Sequence, residues 1–362
     1  MRVAIDDQIF TTQVYGGISR YFVELMHAYH SDDALGVVLT TSRIWTKNRL
    51  LIEHGFGQRL PSSLGHKGKV IRLANRLRSV TERPEIVHHT YYDRRYLKRY
   101  GRSTVRVITV YDMIPERFPE LFPHGNPHRD KREFVAAADL ILCISHATRQ
   151  NLIDVYGDLK APVVVTPLGV DASFQPGLPR PLSFPEQYVL FVGSRGGYKD
   201  FNTLVEAFAR LPADRDLQLV AVGGGPLRAH ERSKLDQLGI CQRVIQTDVA
   251  DTELAGAYSN AQCFVFPSHH EGFGLPTLEA LASGCLTILA SSPAHHEVGG
   301  DAALYYPPGD AAELARLMNE VVSSDERHAS QRVKGVAHAA RFTWRETARL
   351  TVAAYREHGG ER

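Results

Sequence analysis

Short apolar runs alternate with longer amphipathic segments along almost the whole chain. The alternation is interrupted once, at the proline-dense stretch QPGLPRPLSFP from Gln175 to Pro185. Apolar strands followed by helical patterns mark parallel α/β units, in which helices cover both faces of a sheet. In the first half, strands are expected at Arg2–Ile5, Gly36–Thr40, Glu85–His89, Val105–Val110, Leu140–Ile144 and Val163–Thr166. The pattern restarts at Tyr188–Val192 and continues at Leu217–Val222, Val244–Gln246, Cys263–Phe266, Leu286–Leu289 and Ala303–Tyr305. No repeat of fixed period accompanies it.

Prolines this dense cannot continue a helix or a central strand, so residues 176–186 read as a linker. A length of 362 residues suits two cores rather than one. The expected domains are two Rossmann-like units, residues 1–175 and 187–343. Helical patterns close the chain at Ala311–Val322, Glu326–Arg341 and Trp344–His358. Phe342, Trp344 and Tyr355 give the last of these an aromatic face, so residues 344–362 are expected to return to the first domain. In open α/β sheets ligands bind at the carboxyl ends of strands, which puts the expected site in a cleft between the two domains.

Hydrophobic content of 43% and charged content of 23% are ordinary for a globular protein. Cys143, Cys241, Cys263 and Cys285 have no metal-ligand spacing and read as free thiols in a reducing compartment. A strand beginning at Arg2 leaves no room for a signal peptide, and no apolar run approaches the roughly 20 residues of a membrane span. A cytoplasmic location follows as the expectation. The net charge of +2 conceals a basic block: Arg43 to Arg132 holds 20 Lys and Arg against 8 Asp and Glu, and the remainder holds 22 against 32. The block includes Lys67, Lys69, Arg72, Arg76, Arg78 and Arg83, then Arg94, Arg95, Lys98, Arg99, Arg102 and Arg106. Such asymmetry suits an anionic partner, and peripheral contact with an anionic membrane is favoured. Tyr91, Tyr92, Tyr96 and Tyr100 could stack bases, but no nucleic-acid motif accompanies them, so no nucleic-acid partner is expected.

The chemistry concentrates in the turns. His270 to Ala280 reads HEGFGLPTLEA, with Glu271 and Glu279 on either side of a glycine-bearing turn and Pro276 suited to the first turn of a helix. Acids near a helix start often only complement its dipole. The preceding strand and Gly272 and Gly274 favour an anion site instead. After Tyr188–Val192 comes Gly193-Ser194-Arg195-Gly196-Gly197-Tyr198-Lys199, where Arg195 offers a bidentate fork and Lys199 a point charge to a diphosphate. Gly223-Gly224-Gly225 follows the next strand and permits close backbone approach to a ligand. Asp248-Val249-Ala250-Asp251 follows a third; Val249 could border a base, and Asp251 is expected to cap a helix. Diphosphate cations, a helix N-terminus and two carboxylates suited to hydroxyls together fit a nucleoside-diphosphate sugar.

These motifs resemble those of the retaining glycosyltransferases of family 4, which have the GT-B fold of two Rossmann-like domains facing a cleft. The matching elements are Gly16-Gly17, SRGGYKD at 194–200, GGG at 223–225, PLGVD at 167–171, and Glu271 and Glu279 within EGFGLPTLEA. The resemblance spans essentially the full length. It implies that Arg195 and Lys199 hold the donor diphosphate and that Glu279 holds the ribose. It further implies that Glu271 contacts the transferred sugar, surrounded by backbone near Gly274, Leu275 and Thr277, with Gly17 approaching the phosphate. Many members carry a histidine that contacts the donor sugar where this chain has Tyr111, which is therefore a candidate substrate contact in the histidine's place; Asp112 is a candidate for orienting the acceptor. His88 and His89 also end a strand on the cleft side, at least one of them in a structural role.

The stretch DMIPERFPE at 112–120 resembles bacterial O-antigen and mannan-type enzymes. Those enzymes suggest a GDP-sugar donor such as GDP-mannose or a deoxy derivative, and the basic block of the first domain suggests a glycan acceptor linked to polyprenyl diphosphate at the cytoplasmic membrane face. No cofactor and no metal are expected, because no acidic cluster stands beside the diphosphate loop. Two other activities would share the architecture: a nucleotide-sugar epimerase and a non-catalytic nucleotide-sugar-binding protein. An NAD oxidoreductase is disfavoured, since no G-x-G-x-x-G follows the first strand of either half.

Overall fold

The computed structural model describes residues 1–41, 44–59, 75, 83–213, 216–323 and 325–359. The chain divides into two compact units, one formed by Met1–Gly169 with Thr343–Arg362 and the other by Val170–Phe342.

In the first unit the strands are β1 (Arg2–Ile5), β2 (Val38–Leu39), β3 (Ile44–Trp45), β4 (Gly57–Gln58), β5 (Ile86–His89), β6 (Val105–Val110), β7 (Leu140–Cys143) and β8 (Val163–Val165). Six of them form one sheet in the order β2-β1-β5-β6-β7-β8. Every pairing in it is parallel, for example Ala4 with Val87 and His88 with Val107. β5 and β7 are buried along their whole length, as strands covered on both faces must be. The helix Gly17–Ser31 packs Tyr21, Phe22, Leu25, Met26 and Tyr29 into the core. The helix Trp344–His358 lies on that helix and on β7. Tyr355 fastens it, with its Oη 2.6 Å from His88 Nδ1, while His88 Nε2 lies 2.7 Å from Thr109 Oγ1.

Two features of this unit depart from the expected pattern. Between β1 and the helix Gly17–Ser31 stands a further helix, Gln8–Thr12, whose Ile9 and Phe10 are buried. Separately, β3 and β4 form a small parallel pair. Both elements are too short to show a period in sequence.

The second unit repeats the design with β9 (Tyr188–Val192), β10 (Gln218–Val222), β11 (Val244–Thr247), β12 (Cys263–Phe266), β13 (Thr287–Ala290) and β14 (Leu304–Tyr306). The order is β11-β10-β9-β12-β13-β14, again wholly parallel. Phe191, Leu219, Val265 and Ile288 from the strands meet Leu204, Phe208, Leu314 and Met318 from covering helices in one core.

The proline-rich stretch is not a bridge between units. The division falls ahead of it, at 169/170, and the stretch packs on the second unit. Gly177 N donates to Ser259 Oγ at 2.8 Å, and Asn260 Nδ2 donates to the Leu178 carbonyl at 2.8 Å. Prolines keep a chain extended but do not keep it from packing. The helix Asp251–Asn260 also starts one residue earlier than expected: Ala250 holds the cap position, and Glu253 reaches back to the Ala250 N–H at 3.3 Å.

Candidate functional site

From β9 the chain winds outward through β10 and β11, whereas β13 and β14 lie beyond β12 on the other side. Adjacent loops at such a reversal part from each other and leave a crevice at the carboxyl ends of the strands. The loop 193–200 after β9 and the loop 267–274 after β12 border this crevice.

These two loops are joined. Lys199 Nζ lies 2.5 Å from Glu271 Oε1, with the side chains 17% and 12% exposed. The ammonium also sits 5.2 Å from the ring centres of Tyr198 and of Phe266, the last residue of β12. Next to it, Asp200 adopts φ +46°, the left-handed region that non-glycine residues seldom occupy. Its carboxylate caps the helix Phe201–Ala209 through Thr203 N at 3.3 Å and accepts from Thr203 Oγ1 at 2.6 Å. It also meets His269 Nε2 at 2.7 Å, while His269 N donates to the Tyr198 carbonyl at 2.8 Å. A strained residue held by several partners is a recurrent feature of working sites.

Arg195 differs from its expected place on the diphosphate. Its side chain is 1% exposed and paired with Glu231, Nε to Oε1 at 3.0 Å. Its other N–H groups donate to the carbonyls of Gly223 at 2.6 Å, Gly225 at 2.8 Å and Pro226 at 3.2 Å. Arg195 thus holds the triple-glycine turn to the loop after β9 and acts by positioning. Burial opposes the charge on Glu231, yet the hydrogen bond and charge of Arg195 keep its carboxyl below the ordinary value. Gly224, expected near the ligand, lies under this guanidinium. Val249 is half-buried beyond the carboxyl end of the edge strand β11.

The HEGFGLP turn ends at Gly274, whose φ of +103° makes the sharp entry into the helix Leu275–Ala282, with Pro276 in its first turn. Glu279 lies one turn in, buried, and accepts from Tyr258 Oη at 3.2 Å. Thr277 is fully buried, and its N–H closes the turn on the Gly274 carbonyl at 2.9 Å. Glu271, Gly274, Leu275, Thr277, Glu279 and Lys199 therefore gather at the crevice.

The first-unit candidates behave differently. Gly17 opens the helix Gly17–Ser31. Tyr111 belongs to the core: its Oη lies 3.4 Å from the Thr90 carbonyl, and its ring meets Tyr21 and Tyr92 edge-on. Burial pushes its phenol well above the ordinary value, so the side chain in the histidine's place is a packing residue. Asp112 Oδ1 accepts from Ile114 N at 3.0 Å and shapes a turn, while its carbonyl accepts from the buried Lys131 at 2.8 Å. His88 and His89 are both structural, the latter through its Nδ1 at 2.7 Å from Asp6 Oδ2.

Of the basic block, Arg43, Lys67, Lys69, Arg72, Arg76 and Arg78 lie outside the described residues. Arg99 turns inward to Asp7, Nη1 to Oδ1 at 2.7 Å, so its charge is internal. Arg94 and Arg95 stay largely exposed. Among the described residues no helix is long and apolar enough to cross a membrane.

His269, Glu231, Tyr258 and His295 lie outside the sequence motifs. Asp200 ends one of them, SRGGYKD, and following Lys199 at a helix start it carries a local signal for its role, the preference of Asp for caps.

The family described as Glycosyl transferases group 1 matches residues 180–335, and the family described as Glycosyltransferase Family 4 matches residues 15–174. The serotype-specific mannosyltransferase WbdA of Escherichia coli is 26% identical over 69% of this chain, which spans 33% of that protein. O-antigen chain mannosyltransferase B of Escherichia coli is 28% identical over 62% of this chain and 62% of its own length. The chain thus spans between a third and two thirds of these relatives. The structure of Anabaena HepE in complex with UDP and glucose superposes with a TM-score of 0.71 at 16% identity, covering 98% of this chain and 99% of that one.

Proposed function

Because the chain belongs to glycosyltransferase family 4 and has the GT-B fold, we propose that it moves a glycosyl unit from a nucleoside-diphosphate sugar to a glycan hydroxyl, with retention at the anomeric carbon. The observation that carries this reading is the Lys199–Glu271 pair at the switch point of the second sheet, beside the N-terminus of the helix Leu275–Ala282. A diphosphate arriving there competes with Glu271 for the Lys199 ammonium. Once Lys199 turns to the phosphates, Glu271 is free to accept hydrogen bonds from sugar hydroxyls, and Glu279 from the ribose. Lys199 and the helix terminus then offset charge building on the departing diphosphate, stabilisation aimed at the transition state.

Glu271 and Glu279 grip different parts of one donor and are not a glycosidase pair flanking a scissile bond. In the retaining route the acceptor hydroxyl attacks the face from which the diphosphate departs, and the leaving phosphate takes its proton. The mannosyltransferase relatives support a GDP-sugar, GDP-mannose foremost. The O-antigen relative supports a lipid-linked acceptor. Cation duty in this reading rests on protein groups, with no metal required.

The test incubates the purified chain with GDP-mannose, UDP-glucose and their nucleotides, with and without a polyprenyl-diphosphate-linked glycan. Acceptor-dependent nucleotide release with an α-linked product is expected, unchanged by EDTA. Isomerised donor without release would assign an epimerase instead.

A further inference from the structure

The loops 193–200 and 267–274 are joined twice. Lys199 and Glu271 form one joint. His269 forms the other, and it grips the residues on either side of Lys199. Its Nε2 lies 2.7 Å from Asp200 Oδ2, and its backbone N–H donates to the Tyr198 carbonyl at 2.8 Å. A carboxylate accepts, so the proton of the side-chain bond sits on Nε2.

Both ends of this second joint are anchored. Asp200 keeps its left-handed backbone, φ +46°, while Thr203 N at 3.3 Å and Thr203 Oγ1 at 2.6 Å tie its carboxylate to the start of the helix Phe201–Ala209. On the other side the buried Ser268 Oγ donates to the His270 carbonyl at 3.0 Å, which fixes the chain between His269 and Glu271. Lys199 therefore sits between two held neighbours, and Glu271 stands two places after the residue that holds them. The His269 side chain is 36% exposed and that of Asp200 16%. Water competes for a bond so placed, and its worth to overall stability is small. Its worth lies in position.

Resting on the proposed donor site, we infer that His269 is a positioning residue for glycosyl transfer, keeping Lys199 aimed at the leaving diphosphate once that group has drawn Lys199 away from Glu271. In that exchange the Lys199–Glu271 joint is given up, while the His269–Asp200 joint involves neither residue and stays closed. Without the imidazole, the loop after β9 loses its side-chain tie to the loop after β12 just as the first joint opens. The ammonium then rides on a backbone that can drift, and a displacement of about 1 Å at such a group can cost about 10²-fold in rate.

The experiment measures steady-state transfer by the full chain from whichever of GDP-mannose and UDP-glucose it uses, with Tm recorded for each protein. The variants are His269→Phe and His269→Gln, each made in the wild-type and the Lys199→Met background. His269→Phe keeps a ring but no donor, and lowers kcat about 10–10²-fold with KM for the donor within about twofold. His269→Gln, whose amide N–H can reach Asp200, recovers kcat to within about threefold of wild type. In the Lys199→Met background His269→Phe costs less than about twofold, because its effect runs through the ammonium. Hydrogen exchange of residues 267–274 in saturating GDP or UDP needs no turnover, and His269→Phe speeds it about tenfold, the scale of one hydrogen bond. Wild-type kcat in His269→Phe, an undiminished loss in the Lys199→Met background, no recovery in His269→Gln, or unchanged exchange overturns the inference alone. A wild-type chain that binds neither nucleotide and turns over neither donor overturns the donor site, and the inference with it.

Discussion

Lys199 and Glu271 stand 72 positions apart in sequence and 2.5 Å apart in space, Nζ to Oε1, each at the carboxyl end of one of the two strands where the second sheet reverses its winding. In the proposed donor site the diphosphate would compete for this pair. Lys199 and Glu271 satisfy each other here, and on that proposal each would turn to a different part of a bound donor.

That exchange of partners sets the expected kinetics. Lys199→Met removes a cation aimed at the leaving group and lowers kcat about 10²–10³-fold, by analogy with loss of an oxyanion donor. Glu271→Gln lowers kcat by a comparable factor. If the two serve separate parts of the donor, their losses add in the double variant, because additivity marks groups that no longer share an interaction. Steady-state rates of the four proteins check this. A double variant no slower than either single would mean that the residues act only as a pair.

Arg195 calls for a different outcome. Its charge is enclosed with Glu231 and the carbonyls of the glycine turn. Breaking such a buried pair from one side costs about 3–5 kcal/mol. Arg195→Met is therefore expected to lower the Tm of the second unit by about 10 °C, at 2–4 °C per kcal/mol. Glu231→Gln added to it restores part of the loss, because no buried charge is then left alone. Calorimetric scans of the two variants distinguish this from a donor contact, which would lower kcat at unchanged Tm.

The same turn makes Gly224→Ala informative. Gly224 has φ +75°, and a Cβ there would sit 2.9 Å from Arg195 Nη1 and 3.1 Å from the Gly193 carbonyl. Strain of this kind costs about 1–3 kcal/mol, and relief requires the guanidinium to move off the turn. The expected result is a lowered Tm with a weakened Arg195–Glu231 coupling, read from a double-mutant cycle with Glu231→Gln. Full coupling in the Gly224→Ala background would show that the turn can shift independently of Arg195.

The architecture is legible in sequence because parallel strands, buried on both faces, stand out as apolar runs: Tyr188–Val192, Cys263–Phe266 and Val105–Val110 lie where their residues suggest. Short edge elements are not, since Ile44–Trp45 and Gly57–Gln58 hold two residues each. In the site, spacing brings Glu271, Glu279 and Lys199 into view but cannot say which way a side chain turns. Arg195 reads as a phosphate ligand until the carbonyls of Gly223 and Gly225 are seen around it. Tyr111 reads as a ligand contact until its ring is found between Tyr21 and Tyr92.

His88 supplies a pH dependence whose sign can be worked out. Burial, reinforced by the neighbouring His89, lowers its pKa from 6.5 to about 3. The folded state therefore keeps His88 neutral where the unfolded chain protonates it. Above the unfolded pKa both states are neutral and the full stability is present. As pH falls below 6.5 the unfolded state alone gains a proton, and stability declines by about 1.4 kcal/mol per pH unit until the folded pKa is reached. The bonds concerned are those to Tyr355 and Thr109, so the first unit and its closing helix carry the effect. His88→Gln costs stability at pH 8 through those lost bonds but removes this group's share of the acid slope. Urea midpoints from pH 8 to pH 4 should then converge between variant and wild type as the pH falls. Parallel curves would show that His88 titrates alike in both states.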